Sequence, residues 1–514
     1  MKLLFVTLCL FSCLYYAENA NIFAAFPFPG KSHFNMFESI LVALAEKGHN
    51  VDVMSHFPRK KPIKGYTDFS LVGTRPFFTN NVSIDMFIHH SKFSELQLMM
   101  SLGGYDTCES TFNSEIAKNI RNSSHKYDLV ITELFATDCM LGWGYHFGAP
   151  VVALSSSAAL PWANDRFGNP DNPSYIPSYI HNGGDALRMT LYERVVNTFW
   201  TLYAKLIYNH YDKVSNRMAK EFFGEDMPDL SVLAYNTSLL LTNSHFSIFH
   251  ARPTVPNFVE VAGVHLRDPK PLNQHFEDLL KTDTEGIIYL SMGSMVMTEK
   301  FPPNKVQGIA DALGELPYKV VWKGVRENFP EGVTFPKNVV FEGWMPQLDI
   351  LCHPNVKLFI THGGLMGSQE AIYCGVPRLG IPLFGDQVVN IKQSERLGIA
   401  AKVAYEDISK GTILAAATKL LNDPSYQENA KLASERFKDR PMSALNTSLY
   451  WIEYVIRHKG APQLRSIGAQ LPWYQYYLLD IAVIFLLPVL GLGYLLSFVF
   501  KLLFSVKVEK SKRD

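Results

Sequence analysis

Phe341-Glu-Gly-Trp-Met-Pro-Gln347, followed by Lys357-Leu-Phe-Ile-Thr-His-Gly-Gly364 and closing at Asp386-Gln387, decides how this 514-residue chain is read. Lys357 to Thr361 is a short apolar run suited to a buried parallel strand. His362-Gly363-Gly364 reads as a tight turn opening a helix from about Leu365 to Tyr373. The free N–H groups of such a helix start, from Gly364 to Gly367, face an anion such as a phosphate. Glu370 falls about two turns into the helix, where a carboxylate can accept both hydroxyls of a ribose diol, and Trp344 offers a face on which uracil could stack. Taken singly, a Gly-Gly turn, a Trp and an Asp-Gln pair all have ordinary structural uses. Their order along successive strand–turn–helix units carries the reading.

The pattern extends outward. A strand at Ile22 to Phe26 leads through Pro27-Phe-Pro-Gly30 to a helix with apolar residues at Phe34, Phe37, Ile40, Leu41, Leu44 and Ala45. Ser32 is its expected cap, Gly48 its stop, and Val51 to Met54 the next strand. Leu129 to Thr132 and Pro150 to Ser155 continue the βα alternation. From about Pro161 to Phe223 the chain is rich in Pro, Asn and aromatic residues, with a helical run from Leu187, as an insertion walling a cleft would be. A composition shift at Gly263 to Pro271 marks a linker. Strands at Gly286 to Ser291, Tyr318 to Trp322, Val339 to Phe341, Leu358 to Thr361 and Arg378 to Pro382 then alternate with helices, and helices from Ser409 to His458 finish the second half. The expected fold class is α/β, with two doubly wound parallel sheets.

Lys plus Arg balance Asp plus Glu at 48 each, so no net field favours nucleic acid, and selectivity must come from pockets. The first twenty residues read as a secretory signal: Lys2, the apolar run Leu3 to Leu14, then Ala17 to Ala20. Ile481 to Phe500 carries no charge, and twenty residues at ~1.5 Å each span about 30 Å, the hydrocarbon thickness of a bilayer. Asp480 precedes this run, and Lys501, Lys507, Lys510, Lys512 and Arg513 follow, so the positive-inside rule predicts a single-pass type I protein with a lumenal body. Segments are therefore expected at 1–20 (signal), 21–265 and 272–460 (two Rossmann-like domains), 478–500 (membrane helix) and 501–514 (cytosolic tail). Lumenal placement opens four glycosylation sequons, at Asn81, Asn122, Asn236 and Asn446. With Cys9 and Cys13 lost with the signal, Cys108, Cys139, Cys352 and Cys374 read mostly as buried thiols. A Cys108–Cys139 bridge is possible, but sequence does not fix connectivity. No Asp-x-Asp pair or His/carboxylate cluster has metal-ligand spacing, so no metal or other cofactor is expected.

Trp344-Met-Pro-Gln347, His353-Pro354, Thr361-His362-Gly363-Gly364, Glu370, Gly375-Val376-Pro377, Pro382-Leu383-Phe384 and Asp386-Gln387 with Asn390, in that order, resemble the signature of the UDP-glycosyltransferase family. The resemblance is to its animal, membrane-anchored members, and implies a GT-B fold, two facing Rossmann-like domains with the site between them. It implies that Trp344 stacks on uracil, Gln347 and Glu370 meet the ribose, and His362 with the N–H groups of Gly364 to Gly367 holds the diphosphate. Ser294 would help there, and Asp386 and Gln387 would fix the sugar. His33, in the loop after the first strand, matches the family's general base. Its carboxylate partner is either Asp138, the side-chain type the family favours, or Glu133, at the favoured position; Asp138 is preferred. The implied activity is inverting transfer of a hexosyl group, glucose favoured over glucuronate, from a UDP-sugar to a small lipophilic alcohol or phenol. The C-terminal Lys510-Ser-Lys512 resembles a retrieval signal of the endoplasmic reticulum membrane, and a homo-oligomer is compatible with the sequence. The rival readings are a lumenal binding protein of the same fold that has lost catalysis, or another sugar-nucleotide enzyme such as an epimerase.

Overall fold

The computed structural model describes residues 19–76, 90–181 and 188–511, with side chains to 503. Residues 1–18, the sequon at Asn81, the aromatic residues Phe77, Phe78 and Phe87, and the side chains of Lys507, Lys510, Lys512 and Arg513 lie outside this description. The described chain forms two compact units, divided between Arg465 and Ser466.

The first unit holds two parallel sheets. Strands β1 (Asn21–Phe26), β2 (Asn50–Ser55), β3 (Tyr66–Ser70), β4 (Leu129–Glu133), β5 (Val151–Ser155), β6 (Leu239–Thr242) and β7 (Phe258–Glu260) run in the order β3-β2-β1-β4-β5-β6-β7. Strands β8 (Ile287–Ser291), β9 (Lys319–Lys323), β10 (Val339–Glu342), β11 (Val356–Thr361), β12 (Arg378–Gly380) and β13 (Ala400–Lys402) run β10-β9-β8-β11-β12-β13. In both sheets the order reverses beside the first strand. The carboxyl ends of the strands there open a crevice to which loops can bring side chains.

The helices that matter for the site are α1 (Lys31–Glu46), α2 (Lys92–Met100), α3 (Pro161–Phe167), α4 (Leu191–Phe223), α5 (Gln347–Leu351), α6 (Leu365–Cys374), α7 (Gln387–Arg396) and α8 (Ala444–Arg457). Phe34, Phe37, Ile40, Leu41 and Leu44 of α1 are all buried on β1 and β2, as their spacing predicts. The cap differs from expectation: α1 is preceded by Gly30, with no side-chain cap, and Ser32 lies inside the first turn. The end of α8 also departs from the expected domain division. Leu449, Ile452 and Val455, with Ala461 and Leu464 beyond, complete the core under β1, β2, β4 and β5. The chain thus crosses back to the first sheet after finishing the second.

Both cysteine pairs form disulfides, Cys108–Cys139 and Cys352–Cys374, which corrects the expectation of buried thiols. Asn122, Asn236 and Asn446 are exposed. The second unit carries α9 (Leu479–Ser511), whose segment Leu479–Leu503 is long and apolar enough to cross a membrane.

Candidate active site

Strand β11 ends at Thr361, and the next residue, His362, is seated by glycines on two sides. A Cβ on Gly293 or Gly364 would come within 2.6 Å of its ring, and Gly293 also has a φ of +80°, which side chains disfavour. Burial, and then the charge of Lys323, lower the His362 imidazole to about 4, so near neutrality it is uncharged and keeps one N–H to donate. Lys323 ends β9 and donates to the Gly293 carbonyl at 2.8 Å; burial lowers its amine, opposed by Glu299. Helix α6 begins at Gly364 without a side-chain cap, leaving its first N–H groups directed at the same corner. Ser294 is half-buried in the turn after β8. His362 and Gly364 thus share one corner with Gly293 and with Lys323, which the sequence reading missed although it too ends a strand; Ser294 follows Gly293 in the same turn, and Gly367 lies in the first turn of α6, against Gln347.

The residues expected at the ribose are carried by α5 and α6. Gln347 opens α5 and donates to Glu370 at 2.5 Å, while Tyr289 donates to the Gln347 carbonyl at 3.3 Å. A Cβ on Gly367 would press on the Gln347 amide nitrogen at 3.2 Å, so that side chain would have to give by a few tenths of an ångström. The Cys352–Cys374 disulfide ties the far ends of the same two helices. Trp344 is 68% exposed, with Phe276 6.5 Å away. Burial pushes the Glu370 carboxyl up to about 7, opposed by the Gln347 hydrogen bond and by Arg267. Only the ionised form accepts from both hydroxyls of a diol, so affinity for uridine should be highest above about pH 7 and fall as pH drops through it. The expected loss is up to about tenfold between pH 8 and pH 6. Calorimetric titration with uridine across this range checks it, with Glu370→Gln flattening the curve; a flat profile in the native protein would contradict it.

On the first sheet, His33 sits in the first turn of α1, packed beside the rings of Phe28 (4.8 Å) and Phe135 (4.9 Å), which also touch each other. Its Nδ1 lies 2.6 Å from Glu133 Oε1, at the carboxyl end of β4. The Ser156 hydroxyl, just beyond β5, lies 2.9 Å from both His33 Nδ1 and Glu133 Oε1. A carboxylate here can only accept, which puts the imidazole proton on Nδ1 and leaves the Nε2 lone pair free. The preference for Asp138 is therefore corrected. Asp138 is buried against the Arg166 guanidinium of α3, which also donates to Tyr208 of α4 at 3.2 Å. It is spent on holding the insertion to the sheet.

Asp386 precedes α7 and binds across the two sheets. Its Oδ2 accepts from Tyr179 at 3.1 Å and from Asn390 at 2.8 Å. Burial raises its carboxyl, opposed by those two hydrogen bonds and by His33, so the two groups are within electrostatic reach. Gln387 is more deeply committed than its expected role suggests. It is 3% exposed, and its carbonyl accepts from the N–H groups of Leu383 (2.8 Å) and Phe384 (3.2 Å), shaping the turn that presents Asp386. Glu95 of α2 accepts from Gly385 N at 2.6 Å, a second tie between the halves.

A helix start with an uncharged imidazole and a lysine on one sheet, and a histidine–carboxylate pair on the other, are groups that a transfer with a diphosphate leaving group can use. The profile of the UDP-glucoronosyl and UDP-glucosyl transferase family matches residues 74–514, and the chain belongs to that family. It is 39% identical over 524 aligned residues to UDP-glucosyltransferase 2 of Dactylopius coccus, covering the whole of both chains. It is also 33% identical to the human UDP-glucuronosyltransferase 1A8, over 76% of this chain and 72% of that one. The crystal structure of the kitacinnamycin glycotransferase superposes with a TM-score of 0.58 at 16% identity, covering 84% of this chain and 98% of that one, which establishes the shared GT-B fold. The protein is a UDP-glycosyltransferase, an enzyme that moves sugar from a UDP-sugar, and its C-terminal apolar helix fits a membrane anchor.

Proposed function

We infer that this enzyme transfers a hexosyl group, glucose before glucuronate, to the hydroxyl of a small lipophilic alcohol or phenol, with inversion at the anomeric carbon. The observation that carries this reading is the 2.6 Å contact between His33 Nδ1 and Glu133, which leaves Nε2 as the one ring nitrogen able to take a proton. Nε2 removes the acceptor hydroxyl proton as that oxygen attacks the anomeric carbon, and Glu133 stabilises the imidazolium. UDP leaves from the opposite face, its growing charge met by the α6 start, His362 and Lys323, so the protein itself supplies the neutralisation. Asp386 and Asn390 hold the sugar hydroxyls, with the Gln387 amide nitrogen as a further donor. Phe28 and Phe135 beside the base support a lipophilic acceptor.

Glucose is favoured because 382–390 holds no Lys or Arg to meet a carboxylate, and because the relative matched over the whole chain is named a glucosyltransferase. Turnover of one phenol with UDP-glucose and UDP-glucuronate side by side tests the donor, and the anomeric coupling of the product tests inversion. A retained configuration, or faster glucuronate transfer, would overturn the corresponding part. The body is read as lumenal in the endoplasmic reticulum, supported by exposed sequons at Asn122, Asn236 and Asn446. In microsomes carrying the protein a glycosidase should lower the apparent mass, and an unchanged mass would speak against that placement.

A further inference from the structure

We propose that Asn243 and Gln369 form a cross-domain clasp through which the donor-binding helix α6 positions the catalytic base, with Ser156 as the contact to His33 and Glu133. The inference rests on the reading of His33 as that base, and assigns a positioning role to three residues that bind neither donor nor acceptor.

Gln369 immediately precedes Glu370, about 100° around α6, and is completely buried. Its amide nitrogen donates to Asn243 Oδ1 at 2.8 Å, and its carbonyl accepts from Gly263 N, in the linker between the sheets, at 3.0 Å. Asn243, also completely buried, follows β6. Its Nδ2 donates to the Ser156 carbonyl at 2.9 Å, and its backbone N–H lies 3.0 Å from the Ser155 carbonyl and 3.2 Å from that of Ser157. Met366, in the first turn of α6, packs against the core of the first sheet, and its sulfur lies 3.6 Å from Asn243 Nδ2. From Ser156 the path ends at the hydroxyl 2.9 Å from both His33 Nδ1 and Glu133 Oε1.

Three properties make this more than incidental packing. The links among Gln369, Gly263, Asn243 and the Ser156 carbonyl are buried, and only the last step, at His33, is partly open, so a lost partner within the clasp leaves a buried amide or carbonyl unpaired. The path joins the helix that meets ribose and diphosphate to the loop that orients the base, and those elements belong to different sheets. Finally, Asn243 grips the backbone of Ser156 while the Ser156 side chain grips the base pair, so a shift of α6 reaches the His33 ring through two residues, Asn243 and Ser156. A displacement on the order of 1 Å at a reacting group can cost about 10²-fold in rate.

The test compares Asn243→Gln, Gln369→Asn, the size-exchanged double variant carrying both changes, and Ser156→Ala, all in the full membrane-anchored chain. Each is measured for UDP affinity by calorimetry and for kcat with 4-nitrophenol and with an aliphatic alcohol. The single variants and Ser156→Ala should bind UDP as the native protein does. Their kcat should fall about 10- to 10²-fold with the alcohol and markedly less with the acidic phenol, because a misplaced base matters most where the proton is hardest to remove. The double variant, whose exchanged amides together keep the same reach, should recover most of the loss. Native kcat in the single variants, equal losses with both acceptors, or UDP affinity falling in step with kcat would each overturn the clasp. Ser156→Ala leaves the buried amides in place, so it remains decisive if the Asn243 or Gln369 variants do not fold. Near-native turnover of the alcohol by His33→Ala would remove the base itself, an outcome distinct from failure of the clasp alone.

Discussion

His33→Ala should bind UDP normally and turn over an aliphatic alcohol about 10²–10⁴-fold more slowly than the native enzyme. That is the range general-base assistance supplies. The residues proposed to hold the donor, His362, Lys323, Gln347 and Glu370, lie on the second sheet and are untouched by the substitution. An acidic phenol has already weakened its O–H bond, so its residual rate should be relatively higher. Glu133→Gln should follow the same pattern at about 10²-fold or more, because a neutral amide can present N–H to Nδ1 and turn the imidazole proton onto Nε2. Steady-state kinetics with both acceptors, beside calorimetry with UDP, measures both variants. Native turnover of the alcohol by His33→Ala would leave only the donor site standing, and native turnover by Glu133→Gln would detach the carboxylate from the chemistry.

Asp138→Asn should fail differently, by loss of stability with its chemistry intact. Asp138 and Arg166 are both buried, and removing one charge of such a pair typically costs about 3–5 kcal/mol because the other is left unpaired. The low end is expected, since Asp212 stands close by. Burial and the charge of Asp138 raise its carboxyl, so losing Asp138 eases its ionisation and offsets part of the lost charge. The half-life of activity at elevated temperature should shorten roughly tenfold or more, while kcat/KM of the surviving enzyme stays within about threefold. A variant as heat-resistant as the native enzyme, or one with normal half-life and collapsed kcat, would contradict the structural role and return Asp138 to the active site.

The contrast between these two carboxylates shows what the sequence could express. Local order was legible: β11 and α6, at Val356–Thr361 and Leu365–Cys374, lie within a residue of the strand and helix expected from apolar run and Gly-Gly turn. His33 and Glu133 follow the rule that strand ends face the crevice, and preferring side-chain type over position led to Asp138 instead. Its partner Arg166 lies on an insertion helix whose docking no local pattern encodes. Ser156 and Lys323 sit at strand ends and could have been found by the same rule. Asn243 and Gln369, 126 residues apart, carry no periodic or motif signal and meet only because two sheets close on one another. The short strands β3, β7 and β13, and the four-residue internal strand β6, were missed for a related reason. Three to five residues have too little periodicity to stand out from the loops around them.

The return of α8 to the first sheet has a consequence for how the protein is made. Strands β1 to β7 have all been synthesised once Glu260 emerges, yet the wall formed by Leu449, Ile452, Val455, Ala461 and Leu464 comes from the far side of the second sheet. At about 5–20 residues per second, the first core waits on the order of ten seconds or more with one apolar face open. The first half is not an independent folding unit in the order of translation, and a fragment ending before Ala444 would expose that face permanently. The nascent chain must be shielded through this interval, and release of the first half as a folded intermediate has to follow completion of the second.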